Sequence, residues 1–259
     1  MAFALITGAS GGIGLALAHA LASRKHDVLL VARSGDVLQR ICDEIRNKYG
    51  VKANSLALDL STAGSALKVK AWVDEQHATV DILINNAGFA SWGALSDLDD
   101  EEFSGMMQLN MVTLATMCKI FLPMLQKQPK AYILNLSSTA AYQAVPTLTT
   151  YAATKAFVLL FSRGLKWELK GTNISVSSLS PGPTSTGFID RARLGMIKER
   201  AEKFSMQPEA VAKAALDGMF AGKAEIIPGF TNWISAKLAE MVPKTLTEKI
   251  AMNLYKPKK

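Results

Sequence analysis

Two residues four positions apart, Tyr151 and Lys155 in the stretch Y-A-A-T-K, could move a proton. On a helix, side chains at i and i+4 share one face, so the phenol and the ammonium would be neighbours. A free tyrosine has a pKa of about 10 and is a poor base at neutral pH. A cation about 4 Å away, at an effective dielectric near 20, contributes roughly 4 kcal/mol before solvation losses. That is enough to make the phenol a general acid in one direction and a general base in the other. The same pair also reads as a surface contact holding a helix together, and the two residues alone do not choose between these readings.

A second stretch, T-G-A-S-G-G-I-G at residues 7–14, places Gly8, Gly12 and Gly14 in a G-x-x-x-G-x-G pattern, with Ser10 and Ile13 between them. Glycines here let the backbone turn tightly and approach a pyrophosphate, and the helix that follows offers free N–H groups and a positive dipole end. A merely flexible glycine loop is the alternative; the position after the first strand favours nucleotide binding. The second strand ends V-A-R-S. A site for NAD commonly has Asp or Glu here to hold the ribose 2′-hydroxyl. This chain has Ala32, Arg33 and Ser34. A guanidinium at this point can fork onto a 2′-phosphate, with a hydroxyl from Ser10 or Ser34, so NADP(H) is expected in preference to NAD. Asp59 and Leu60 close the third strand, where an acceptor can take the adenine amino group; Asp59 could equally cap the next turn at Ser61.

These residues need elements to hold them. Apolar runs at 2–7, 27–32, 51–58, 80–86, 130–137, 173–180 and 224–228 read as strands, several of them buried on both faces. Helix-period segments at about 12–24, 34–49, 62–77, 100–127, 150–170 and 208–221 lie between them, the last opened by Pro208 and closed by Gly222. Strict β-α alternation implies an α/β fold, a Rossmann-type doubly wound parallel sheet of about seven strands. With no composition break or linker, residues 1–259 read as one domain with a helical C-terminal extension from about 230.

Composition narrows the function. The chain is 49% hydrophobic and 20% charged, as in soluble globular proteins. No uninterrupted apolar run reaches the roughly 20 residues of a membrane span. The N-terminus lacks the charged region of a signal peptide, so a cytoplasmic protein is expected. Cys42 and Cys118 have no metal-like spacing, and His19, His26 and His77 are scattered, so no metal site is expected. The net charge is +7 and the pI near 9.3. The basic residues form short clusters without interleaved aromatics, which argues against nucleic acid.

Taken in order, T-G-A-S-G-G-I-G, Asp59-Leu60, N-N-A-G (85–88), Asn110 in L-N-M, Ser138 in N-L-S-S, Y-A-A-T-K and P-G-P-T-S-T (181–186) resemble the classical short-chain dehydrogenase/reductase family over about residues 4–187. Each piece is weak alone; the ordered set is specific. The resemblance implies a catalytic tetrad of Asn110, Ser138, Tyr151 and Lys155. Ser138 would hydrogen-bond the substrate oxygen and steady a developing alkoxide. Lys155 would also hold the nicotinamide ribose, and Asn110 would help position a water linking Lys155 to solvent. Asn85 would tie neighbouring strands. Asn86, Ala87 and Gly88 would line the adenine ribose. Pro181, Gly182, Thr184 and Thr186 would meet the nicotinamide. The resulting expectation is an NADP(H)-dependent oxidoreductase acting on a carbonyl or alcohol. A non-catalytic dinucleotide sensor on the same fold is the rival, and the complete tetrad counts against it.

Substrate contacts are expected from loops beyond the strand ends: Phe89 and Trp92, Tyr142 to Thr147, and a helical lid at about 187–206 carrying Phe188, Leu194, Ile197 and Phe204. The apolar underside of the lid favours an apolar ketone or aldehyde, and its basic face admits a 3-ketoacyl thioester. Near the C-terminus, Phe230, Trp233, Ile234, Leu238, Met241 and Val242 make one apolar stripe, and Leu246, Ile250 and Leu254 a second. Packing over the cleft or at a subunit interface is the expected role, with a monotopic membrane contact as the alternative. The resemblance also implies a homodimer or homotetramer joined through helices 100–127 and 150–170, with Met106, Met107, Leu114, Met117, Phe121, Phe157, Leu160 and Phe161 as its apolar surface.

Overall fold

The computed structural model describes residues 2–186 and 205–255. Seven strands, β1 (Phe3–Thr7), β2 (Asp27–Ala32), β3 (Ala53–Ala57), β4 (Val80–Asn85), β5 (Ala131–Leu136), β6 (Ile174–Leu179) and β7 (Glu225–Ile226), form one sheet in the order β3-β2-β1-β4-β5-β6-β7. Every pairing is parallel. All six residues of β2, D-V-L-L-V-A, are buried. Such continuous burial follows when helices cover both faces of a strand.

On one face lie α1 (Gly12–Ser23), α2 (Gly35–Tyr49) and α7 (Pro208–Phe220), whose Leu17, Leu21, Ile41 and Leu216 pack on Ile6, Leu30 and Ile84. On the other lie α3 (Ser65–Glu75), α5 (Leu114–Leu125) and α6 (Thr149–Glu168), with Val69, Phe121 and Val158 against Leu5, Leu83 and Ile133. The chain leaves the β3 edge and re-enters beside β1 as β4. That change of direction opens a crevice at the carboxyl ends of β1 and β4, where doubly wound sheets place their ligands.

The expected helix 100–127 is not uniform. It runs as α4 (Asp100–Met107), a π turn (Gln108–Thr113) and α5. The stretch Asp100–Leu125 is long and apolar enough to cross a membrane, with a mean hydropathy of 1.3 over an 18-residue window. Its Met106, Leu114, Met117 and Phe121 are buried in the fold's own core. They are therefore not the dimer surface that the sequence suggested: they face the sheet and α6. Two further helices, α8 (Phe230–Met241) and α9 (Lys244–Tyr255), complete the described chain. The expected lid, including Phe188, lies outside the described residues apart from its base, where Ser185 N–H donates to Met206 O at 2.9 Å and Met206 N–H to Pro183 O at 3.0 Å.

Candidate active site

The glycine turn leaves β1 at the crevice. Gly8 and Gly12 have φ of +67° and +55°, the left-handed region that glycine enters freely. Side chains there would also have no room. A methyl on Gly8 would come within 2.8 Å of Asn86 Nδ2, one on Gly12 within 2.9 Å of Thr186 Cγ2, and one on Gly14 would run into the Gly8 carbonyl and the Asn86 amide. The turn thus lies close against both N-N-A-G and P-G-P-T-S-T. Gly11 caps α1 and itself offers no side-chain acceptor to the first-turn N–H groups. This is a cradle that fits a pyrophosphate.

Asn86 braces the glycine turn. Its Nδ2 donates to Thr7 O at 2.8 Å and to Gly8 O at 3.2 Å, and the Thr7 hydroxyl accepts from Asn86 N–H and Ala87 N–H, both at 3.0 Å. It shapes the crevice floor, leaving Ala87 and Gly88 beside the glycine turn. Asn85 ties strands, as expected: its Nδ2 donates to Asn135 Oδ1 at 2.9 Å across the β4–β5 pair.

Arg33 and Ser34 are exposed at the end of β2, and the Ser34 hydroxyl makes no capping bond to α2. Asp59 accepts from Ser61 N–H at 2.9 Å and from the Ser61 hydroxyl at 2.7 Å, the capping role. Its partial burial works against ionisation, but the Ser61 bonds and the Arg33 charge prevail and hold its carboxyl below the usual range. The Leu60 side chain packs in the core, and its carbonyl accepts from the Ser65 and Thr113 hydroxyls. Its side chain is therefore structural.

The four tetrad residues come from three elements. Ser138 follows β5 and caps a short 3₁₀ turn (Thr139–Tyr142), its Oγ accepting from Ala140 N–H at 3.1 Å. The neighbouring Ser137 hydroxyl donates to Lys155 O at 2.8 Å and stitches β5 to α6. Lys155 is 3% exposed; its Nζ donates to Leu136 O at 2.9 Å and lies 5.7 Å from the Tyr151 ring centre. Burial pulls its pKa down to about 8. Asn110 sits in the π turn, fully buried. Its Nδ2 donates to Phe89 O and to Thr154 Oγ1, both at 3.0 Å, and its Oδ1 accepts from Phe89 N–H at 3.2 Å. Thr154 in turn donates to Tyr151 O at 2.8 Å. A methyl on Gly88 would come within 2.9 Å of Asn110 Oδ1 and 3.2 Å of Lys155 Nζ, so the two side chains converge on that glycine.

Tyr151 belongs to an apolar cluster with Ala90, Met106, Val145, Leu148 and Ala152, against which Phe89, Trp92 and Ala140 pack. The Trp92 Nε1 is buried there without a hydrogen-bond acceptor among the described residues. Tyr142, expected to touch substrate, turns away. Its hydroxyl donates to Glu225 Oε1 at 2.7 Å and contacts Ser180 Oγ at 3.2 Å, and its ring packs on Leu159, Ala236 and Ala239. Asn232 on α8, which sequence reasoning missed, presses on Gly182, where any Cβ would collide with its amide. Its distance along the chain from every motif gave no signal of this.

The profile of the short chain dehydrogenase family matches residues 2–195. The very-long-chain 3-oxoacyl-CoA reductase of Macaca fascicularis is 31% identical over 98% of this chain and 80% of its own length. The mouse protein of that name is 31% identical over 78% of this chain; the match spans 65% of the mouse protein, just under two thirds of its length. A short-chain dehydrogenase from Sphingobium yanoikuyae, solved in complex with NADPH, superposes with a TM-score of 0.82 at 30% identity, covering 93% of this chain and 94% of that one.

Proposed function

The chain belongs to the short-chain dehydrogenase family and is an oxidoreductase that works with a nicotinamide dinucleotide, and we propose that it is an NADPH-dependent reductase of apolar carbonyl compounds. The observation that carries this reading is the convergence of Tyr151, buried Lys155 and the Ser138 turn beside the glycine cradle. The bound dinucleotide supplies the hydride. Gly8, Gly12 and Gly14 would let the backbone approach its pyrophosphate, and Ala87, Gly88, Gly182, Thr184 and Thr186 would line the rest of it. Arg33, exposed at the end of β2, would take a 2′-phosphate, and the absence of an acidic residue from A-R-S there supports NADP(H) over NAD.

On the protein side, Ser138 Oγ donates to the carbonyl oxygen and Tyr151 delivers its proton as negative charge develops there. Lys155 holds positive charge beside the phenol and can return a proton to Tyr151 once it has given one up. Asn110 fixes the Phe89 backbone on one side and α6 on the other, keeping Tyr151 and Lys155 in register. The wall around Tyr151 is apolar, which supports a hydrophobic substrate.

Within that class, the names of the mammalian relatives favour a 3-oxoacyl thioester. Such a substrate carries a second carbonyl near the reacting ketone, an acceptor suited to the unsatisfied Trp92 N–H. The test is loss of NADPH across a panel of ketones, aldehydes and 3-oxoacyl thioesters. Tyr151→Phe should abolish turnover with NADPH affinity nearly unchanged, and persistence of turnover would remove Tyr151 from the mechanism.

A further inference from the structure

The C-terminal helices are apolar on their outer side. The inner side of α8 is built from small residues: Ala236 and Ala239 pack on Tyr142 and Leu159, and Asn232 lies on Gly182. Its outer side carries Phe230, Trp233, Leu238 and Met241, with Phe230 76% and Met241 82% exposed. Phe230 and Trp233 stack on each other at 6.3 Å. The next helix repeats the arrangement, with Thr247 and Ala251 buried and Leu246 and Ile250 exposed. Of thirteen large exposed apolar side chains among the described residues, seven fall within residues 230–252. So dense a patch marks an interaction face rather than scattered surface residues. The charge of the segment is equally skewed. Residues 230–259 hold six lysines and two glutamates, net +4 of the chain's +7.

We propose that α8 and α9 form a peripheral docking face for an anionic lipid surface. Helices with Phe, Trp and Leu on one side and lysines flanking them lie in the bilayer interface, the apolar stripe among the acyl chains and the ammonium groups at anionic headgroups. A second copy of the chain fits this face less well. A two-fold contact through it brings together two copies of a segment whose sequence, residues 230–259, carries net +4. The chain also offers copies a separate apolar stripe on α6, at Phe157, Leu160 and Trp167. The docking claim stands on this surface alone. Its consequence for catalysis rests on the carbonyl-reductase reading: because the inner side of α8 touches Gly182 and Tyr142, a docked molecule would hold the wall of its active site close to the membrane and to lipid-like substrates.

The test is co-sedimentation of the full chain with vesicles of phosphatidylcholine, alone or mixed with phosphatidylglycerol, with NADPH binding measured in parallel. Binding to the mixed vesicles at least about tenfold tighter than to neutral ones, and weakened by salt, is expected. The double variant Phe230→Ser/Met241→Ser should lose about tenfold or more of that binding, and Lys249→Glu a similar amount, with melting temperature and NADPH affinity unchanged. Equal or absent binding to the two vesicle types overturns the proposal. So does a double variant that binds vesicles like the parent but changes from dimer to monomer, which assigns the face to a second copy. Vesicle binding without reductase activity leaves the docking face standing and counts against the functional reading instead.

Discussion

Lys155 is held with its charge in a buried place. Its ammonium has the Leu136 carbonyl at 2.9 Å, and burial lowers its pKa from 10.5 to about 8. Below pH 8 the lysine is protonated in both folded and unfolded chains, and the burial cost is felt in full. Between about 8 and 10.5 the unfolded chain binds more protons than the folded one, so the free energy of unfolding rises with pH across that window. The rise amounts to on the order of 3 kcal/mol from this group. Urea denaturation at several pH values should show it in the parent and not in Lys155→Met; identical slopes would mean that the lysine is not buried as a cation. The same loss of the proton removes the positive charge beside Tyr151, so carbonyl reduction is expected to fall as pH rises past about 8. Trp92 makes a second prediction at this scale. Its buried N–H has no acceptor among the described residues, a state that costs about 1–3 kcal/mol. If a substrate carbonyl relieves it, Trp92→Phe should lower kcat/KM for 3-oxoacyl thioesters by about tenfold or more and spare simple ketones. Equal effects on both substrate types would limit Trp92 to shaping the wall.

The elements show what their sequences disclose and what they conceal. Strands such as D-V-L-L-V-A are legible because burial on both faces leaves an unbroken apolar run, and the glycine cradle is legible because only glycine fits it. The π turn is not. One helical turn widened at Gln108–Thr113 leaves the apolar pattern almost intact, yet it sets Asn110 facing the Phe89 backbone. Such turns recur at functional sites. The direction of α8 was also hidden, since periodicity says which residues share a face but not which face turns inward. Here the alanines do: Ala236 and Ala239 are buried against Tyr142 and Leu159. Tyr142 follows from that packing. Its hydroxyl ties the turn after Ser138 to Glu225 on β7, and Glu225 lies 3.7 Å from Lys237 on α8. Tyr142→Phe leaves the Glu225 carboxylate without that donor and should reduce stability by about 1–3 kcal/mol, read by chemical denaturation. KM should hardly move, because the ring packs on α8 and Leu159; a raised KM with unchanged stability would return Tyr142 to the substrate pocket.

For the molecule as a whole, the remaining apolar surface predicts how copies assemble. The sequence offered Met106, Leu114, Met117 and Phe121 for a subunit interface, and the fold uses all four internally. What it leaves outside on α6 is Ala153, Phe157, Leu160, Gly164 and Trp167, which recur every three or four residues. Phe157 stacks on the half-buried Phe161 at 5.7 Å, so part of the stripe is already fixed in place. Val112, on the π turn, is exposed as well. Helices meeting along such a stripe approach closely where Ala153 and Gly164 lie, and a two-fold axis across it presents the same residues from both sides. A homodimer through α6 is therefore expected. Leu160→Glu would place two carboxylates in that contact for one change in sequence, because the axis doubles it, and repulsion would add to lost burial. Light scattering at micromolar concentration should then show a dimer for the parent and a monomer for Leu160→Glu, while Phe230→Ser/Met241→Ser remains dimeric. A parent chain that scatters as a monomer, or a Leu160→Glu variant that stays dimeric, would move the interface elsewhere. Tyr151 and Lys155 lie on the buried side of this same helix, so loss of the dimer should also loosen the site that α6 carries and lower the melting temperature.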